Sequence, residues 1–105
     1  MIPNAETSVL ENGMTIVSEY MPTGRSVAVG IVVGAGPAFE EEKEAGLSHF
    51  TEHMAFKGTA RRSAFQIAYE LDSIGGKLNA YTGKEYTVFY AVVLDKHIDV
   101  AVDVL

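Results

Sequence analysis

The sequence contains no cysteine. That absence excludes a disulfide framework, a CxxC metal cluster and a thiol nucleophile, and it fits a reducing compartment. Positive charge is scarce: 8 Lys and Arg stand against 14 Asp and Glu, for a formal net charge of −6. A nucleic-acid binder needs a basic face to displace the counterions of the phosphate backbone, so that class of partner is set aside. An acidic balance suits basic partners or simply keeps the chain in solution. Long hydrophobic runs are missing too. The longest apolar stretch, Ser26 to Phe39, is interrupted by Gly30, Gly34, Ala35, Gly36 and Pro37. It falls short of the ~20 apolar residues of a membrane span. The first residues, Met1-Ile2-Pro3-Asn4-Ala5-Glu6, carry neither the basic and apolar regions of a secretory signal nor the Arg and Ser of a transit peptide. A soluble intracellular protein is the expectation.

What is present is a chain of 105 residues, 48% of them hydrophobic. That is one domain at most, with enough apolar side chains for a modest core. Thr7-Ser8-Val9-Leu10 and Thr15-Ile16-Val17-Ser18 flank Glu11-Asn12-Gly13-Met14, and Asn-Gly between two β-like runs predicts a hairpin. Pro22-Thr23-Gly24 reads as a turn. Ser26 to Val33 is apolar nearly throughout, as expected of a strand buried on both faces. Glu40 to Glu44 reads as a solvated segment. A helical pattern runs from Ala45 to about Phe56 and ends at Gly58. Ser63 is placed to cap a second helix reaching Ile74, with Phe65, Ile67, Ala68, Leu71 and Ile74 at helical spacing. Lys77–Thr82 and Tyr86–Leu94 then read as strands joined by Gly83-Lys84-Glu85. Asp95 is expected to cap a last helix, with Ile98, Ala101, Val102 and Leu105 toward a core and no stop signal before the chain ends. Strands on either side of a helical pair make the fold class α+β.

Chemistry concentrates in His49-Phe50-Thr51-Glu52-His53. On a helix, His49 and His53 lie one turn apart on one face, with Glu52 on the same side. Leu47, Phe50 and Met54 occupy another sector and are expected to face a core. Two imidazoles at i and i+4 are able to chelate one Zn²⁺ at about 2.0–2.1 Å each, and a neighbouring carboxylate to take a proton from an activated water. A chain of this histidine and glutamate content carries the pattern by chance roughly once in a hundred. The alternative is a pair of ordinary core or surface histidines on a helix. Phe56, Phe89 and Tyr90 read as core rather than pocket, and His97, Lys84 and Arg61-Arg62 as solvated positions.

The H-x-x-E-H order is the inverzincin signature. The sequence resembles that family, the pitrilysin-like (insulinase-type, M16) metallopeptidases, and within it the bacterial processing-protease and mitochondrial processing peptidase β-subunit branch. The resemblance extends from Leu10 to Leu105. It rests on Leu10-Glu11-Asn12-Gly13-Met14-Thr15-Ile16-Val17, Ser26-Val27-Ala28-Val29-Gly30, and the run Gly46 to Thr59 around the histidines. It continues through Gly75-Gly76-Lys77-Leu78-Asn79-Ala80-Tyr81-Thr82 and Glu85-Tyr86-Thr87-Val88-Phe89-Tyr90. By resemblance His49 and His53 are zinc ligands and Glu52 is the general base. Asn79 and Ala80 match an edge strand that holds an extended peptide substrate. From spacing alone Asn79 reads as a turn or strand-start residue. Glu85 matches a recurrent family glutamate and equally fits a solvated turn.

The family's third zinc ligand is a glutamate downstream of the motif, here expected beyond Leu105. Its distal Arg and Tyr belong to a second half, also expected outside these residues. Gly36-Pro37-Ala38 departs from the Ser-Arg pair common in relatives after the glycine. The resemblance therefore implies residues 1–105 as the N-terminal part of a metallopeptidase domain, a mostly antiparallel sheet packed by helices, truncated at its C-terminus. The expected activity is zinc-dependent endopeptidase cleavage of peptides or short unfolded segments, with one Zn²⁺ per complete site and this segment alone inactive. The parent is expected to be a homodimer or a heterodimer with a sister subunit, in the bacterial cytoplasm or, alternatively, the mitochondrial matrix. The competing readings are a non-catalytic structural subunit of the same fold, as in respiratory-complex core proteins, and a peptide-binding module. Intact histidines and Glu52 favour the enzyme.

Overall fold

The β-branched and aromatic run from Thr87 to Leu94 forms the strand on which the rest of the chain is arranged. The computed structural model describes residues 5–105. Residues 1–4, on which the reading of the N-terminus partly rests, lie outside them. In chain order the elements are β1 (Ala5–Val9), β2 (Thr15–Glu19), β3 (Ser26–Val33), α1 (Leu47–Ala55), α2 (Ala64–Asp72), β4 (Lys77–Thr82), β5 (Thr87–Leu94) and α3 (Ile98–Val104). Short 3₁₀ turns at Pro37–Phe39 and Glu42–Glu44 precede α1, and another at Asp95–His97 precedes α3. Strands β1 and β2 form one antiparallel pair, and β3-β5-β4 form a three-stranded antiparallel sheet. The architecture is α+β, as expected.

The hairpin of β1 and β2 forms at the expected Asn-Gly, with a wider loop than a two-residue turn. The Leu10 N–H donates to the Met14 carbonyl at 2.8 Å, while Asn12 Oδ1 accepts from the Met14 N–H at 2.9 Å. Gly13 takes φ +89°, which glycine adopts at little cost.

The core lies between the sheet and the helices α2 and α3. The register pairs Leu78 with Ala91 and Val27 with Val93, placing these side chains on one face. Leu71 from α2 and Ala101 from α3 close against Ala91 and Val93, with Ile74, Val104 and Leu105 packed around them. Ser63 caps α2 as expected: its hydroxyl accepts from the Gln66 N–H, and Gln66 returns a bond to the Ser63 N–H.

Three expectations are corrected. Strand β3 is not buried on both faces. It is an edge strand paired only with β5, and Val32 is 68% exposed because no described element covers its outer face. In α3, Asp95 makes no side-chain cap, and Ile98 and Val102 are exposed while Ala101 is fully buried. Arg62 is not solvated: its side chain is 16% exposed and binds Glu70 at 2.8 Å and the Asp103 carboxylate, tying α2 to α3. The Asp103 and Glu70 acceptors together hold its guanidinium above the usual arginine value.

Candidate metal centre

Helix α1 carries the histidines, and its start is built from two residues outside it. Gly46, at the N-cap position, has φ +87° and no side chain with which to cap. The Glu40 carboxylate fills that role, accepting the Gly46 N–H at 2.9 Å and the Ser48 N–H at 2.7 Å. A negative charge there answers both the free N–H groups and the positive end of the helix dipole. The Ser48 hydroxyl, then its N–H, holds the Glu40 carboxyl below its usual value. Glu40 is thus a structural anchor, whereas the acidic run around it reads from sequence as merely solvated.

His49 and His53 meet on the exposed face of α1. Their Nε2 atoms are 3.0 Å apart, and the rings lie edge to face with centroids 4.6 Å apart. Two ligands of a tetrahedral zinc at its usual bond length are separated by about 3.3 Å. The pair therefore needs only a small adjustment to hold the ion: the donor atoms are nitrogen, both converge, and both are open to solvent. Among the described residues no third His, Cys, Asp or Glu joins them. Of the other acids, Glu70 is engaged by Arg62.

Glu52 lies next to His53 in sequence, but its carboxylate is turned toward the sheet. Glu52 Oε2 accepts a hydrogen bond from the Thr82 hydroxyl at the end of β4. The side chain is half-buried, unlike the two histidines. From the sequence Thr82 reads only as the last residue of a strand, and no local spacing pattern connects it to Glu52.

Asn79 and Ala80 sit in the middle of the same strand, opposite Tyr90 and Phe89 of β5. Strand β4 is at the edge of its sheet, so its outer N–H and C=O groups have no strand partner within the described residues. Asn79 is exposed, and its Oδ1 accepts from the Ala80 N–H at 2.8 Å. A groove of about 480 Å³ runs beside the start of β4, between Phe56, Ile67 and Leu71 on one side and Lys77, Leu78 and Asn79 on the other. Tyr90 also lines it, and neither histidine does. Leu47, Phe50 and Met54 do not reach a core: they are 50%, 63% and 48% exposed, since no described element packs over that side of α1. Glu85 is exposed on the β4–β5 turn.

The family model described as insulinase, peptidase family M16, matches residues 15–105. A Bacillus subtilis protein named as an uncharacterized zinc protease, YmxG, is 54% identical over 95 residues, covering 90% of this chain and 23% of its own length. The mitochondrial-processing peptidase subunit beta of Saccharomyces cerevisiae is 51% identical over 104 residues, covering 99% of this chain and 22% of its own. A solved structure, a protease from Helicobacter pylori, superposes with a TM-score of 0.91 at 25% identity, covering 99% of this chain and 25% of that one. The chain spans about a quarter of the length of these proteins.

Proposed function

The chain belongs to the insulinase family of peptidases, M16, and on that premise we propose that it supplies two zinc ligands and the general base of a metalloendopeptidase. The observation that carries the reading is the convergence of His49 Nε2 and His53 Nε2 at 3.0 Å on one helix face, with Glu52 one residue away in sequence. His49 and His53 hold the ion, and a glutamate beyond Leu105 is the third ligand. Bound zinc supplies a Lewis acid and makes water acidic enough to attack near neutral pH. Glu52 takes the proton from the attacking water and returns it to the departing amine nitrogen, so the carboxylate ends as it began.

The substrate is a peptide or short unfolded segment. It lies extended along the free edge of β4 at Asn79 and Ala80, adding a strand through main-chain hydrogen bonds, the Ala80 N–H exchanging its Asn79 Oδ1 acceptor for the substrate. Residues 1–105 are the N-terminal part of the metallopeptidase domain, inactive alone. The active protein pairs this half with a second one, as a homodimer or with a sister subunit; the name of the yeast relative, a subunit beta, supports such pairing. Similarity to the Bacillus protein supports a bacterial enzyme, whose proposed compartment is the cytoplasm, and the name of the yeast subunit supports the mitochondrial alternative.

Glu52→Gln in the complete protein tests the reading. The variant should keep its zinc, because both histidines remain, and lose hydrolysis of a quenched peptide by about 10²–10⁴-fold. Undiminished hydrolysis, or unchanged zinc content after His49→Ala with His53→Ala, would refute the assignment.

A further inference from the structure

We propose that Thr82 is a positioning residue for Glu52, its hydroxyl fixing the carboxylate in the orientation that proton transfer needs. The inference rests on the reading of Glu52 as general base. A glutamate carboxylate ends a chain of three rotatable bonds, and helix α1 itself does nothing to hold it. The Thr82 hydroxyl donates to Oε2. That leaves Oε1 as the oxygen that receives the proton.

The donor stands on a rigid frame. Threonine is β-branched and stiff at χ1. Thr82 occupies the last pair of the β4–β5 ladder, opposite Thr87. Thr87 is 4% exposed, and its own hydroxyl donates to the Ala35 carbonyl at 2.8 Å. Immediately after Thr82, the Gly83 N–H donates to the Tyr86 carbonyl at 2.7 Å and closes the turn. The backbone at Thr82 is therefore held on both sides, and a mobile carboxylate is referenced to it. By strand alternation Thr82 shares a face of β4 with Ala80, two residues upstream. The strand whose edge takes the peptide thus also sets the base, so substrate and base share one frame. Misplacement of a catalytic group by about 1 Å costs on the order of 100-fold in rate, which sets the scale of the effect.

The test is made in the complete, zinc-loaded protein with Thr82→Val, which keeps the shape and removes the donor, and Thr82→Ser, which keeps the donor. For Thr82→Val, kcat should fall about 10- to 100-fold with KM within about twofold. Thr82→Ser should restore kcat to within about threefold of the parent. Zinc content should be unchanged in both. Crystal structures should show the Glu52 carboxylate displaced in Thr82→Val and in place in Thr82→Ser. Should Thr82→Val not fold, Thr82→Ala is read in the same way. Unchanged kcat in the valine variant, equal loss in both variants, or a rise in KM at constant kcat overturns the proposal. Inactive Glu52→Gln beside a fully active Thr82→Val fails Thr82 alone; an active Glu52→Gln fails the base itself.

Discussion

Replacing Gly36 by alanine probes the junction on which both supports of the site meet. A Cβ at Gly36 would lie 2.6 Å from the Lys84 carbonyl oxygen and 2.9 Å from that of Gly83. Both are backbone atoms of the β4–β5 turn, so no side chain is available to yield. An ordinary contact requires the loop and the turn to separate by roughly 0.8 Å. Two hydrogen bonds cross the same junction, Ala38 N–H to the Lys84 carbonyl and the Thr87 hydroxyl to the Ala35 carbonyl, each 2.8 Å. That opening stretches both beyond bonding range. Overpacking with a backbone shift of this kind costs about 1–3 kcal/mol, or roughly 5–20 °C in melting temperature for a domain of this size, and loss of the two bonds would add to it. Gly34 is the control. A Cβ there meets nothing within 4 Å, so Gly34→Ala should stay within about 0.5 kcal/mol of the parent. Thermal and urea unfolding followed by circular dichroism, with the variants side by side, provides the comparison. Melting of Gly36→Ala within about 2 °C of the parent, or an equal fall in Gly34→Ala, would show that the close approach does not constrain position 36.

Leu71 is the largest fully buried side chain, so Leu71→Ala should cost about 2–5 kcal/mol; equilibrium unfolding measures it, and a loss below about 1 kcal/mol would mean the core collapses around the gap. Glu40→Gln should lower the melting temperature near neutral pH. The folded Glu40 carboxyl titrates below its usual 4.5, so its contribution is complete above that value and lost as pH falls through the lower folded pKa. The gap in melting temperature between parent and Glu40→Gln should therefore close in acid, and a gap that persists undiminished there would refute the capping role.

What was legible in the sequence is what neighbours in the chain decide. The Ser63 cap depends on Gln66 three residues on, and Lys77–Thr82 is bounded by Gly75-Gly76 and Gly83. The histidine pair is of the same kind, since one helical turn is enough to bring the rings together. What was not legible depends on partners distant in sequence. Arg62 looks like any surface cation until Asp103 is brought beside it from α3. The apolar run of β3 reads as doubly buried because composition records hydrophobicity and not the number of layers that cover a strand; here α3 packs on one face only. The same holds for Phe50, which periodicity puts on the apolar side of α1 and which is 63% exposed.

The motif itself presupposes residues outside it. Helix α1 has 9 residues, and a helix that short is marginal in water unless its ends and one face are held elsewhere. Nothing between His49 and His53 supplies that support. Glu40 does so at the N-terminus, through Gly46 and Ser48, while Thr82, from the strand, holds the Glu52 carboxylate rather than the helix. The Nε2 convergence follows from helical geometry only once the helix exists, and Glu40 is what closes its first turn. The direction of the Glu52 carboxylate is a separate matter, settled across 30 residues of chain by one hydroxyl. The histidine pair and the Glu52 carboxylate are thus set by different contacts. A substitution at Glu40 should disturb the helix and with it all three residues, whereas one at Thr82 should leave the histidines where they are and move only the carboxylate.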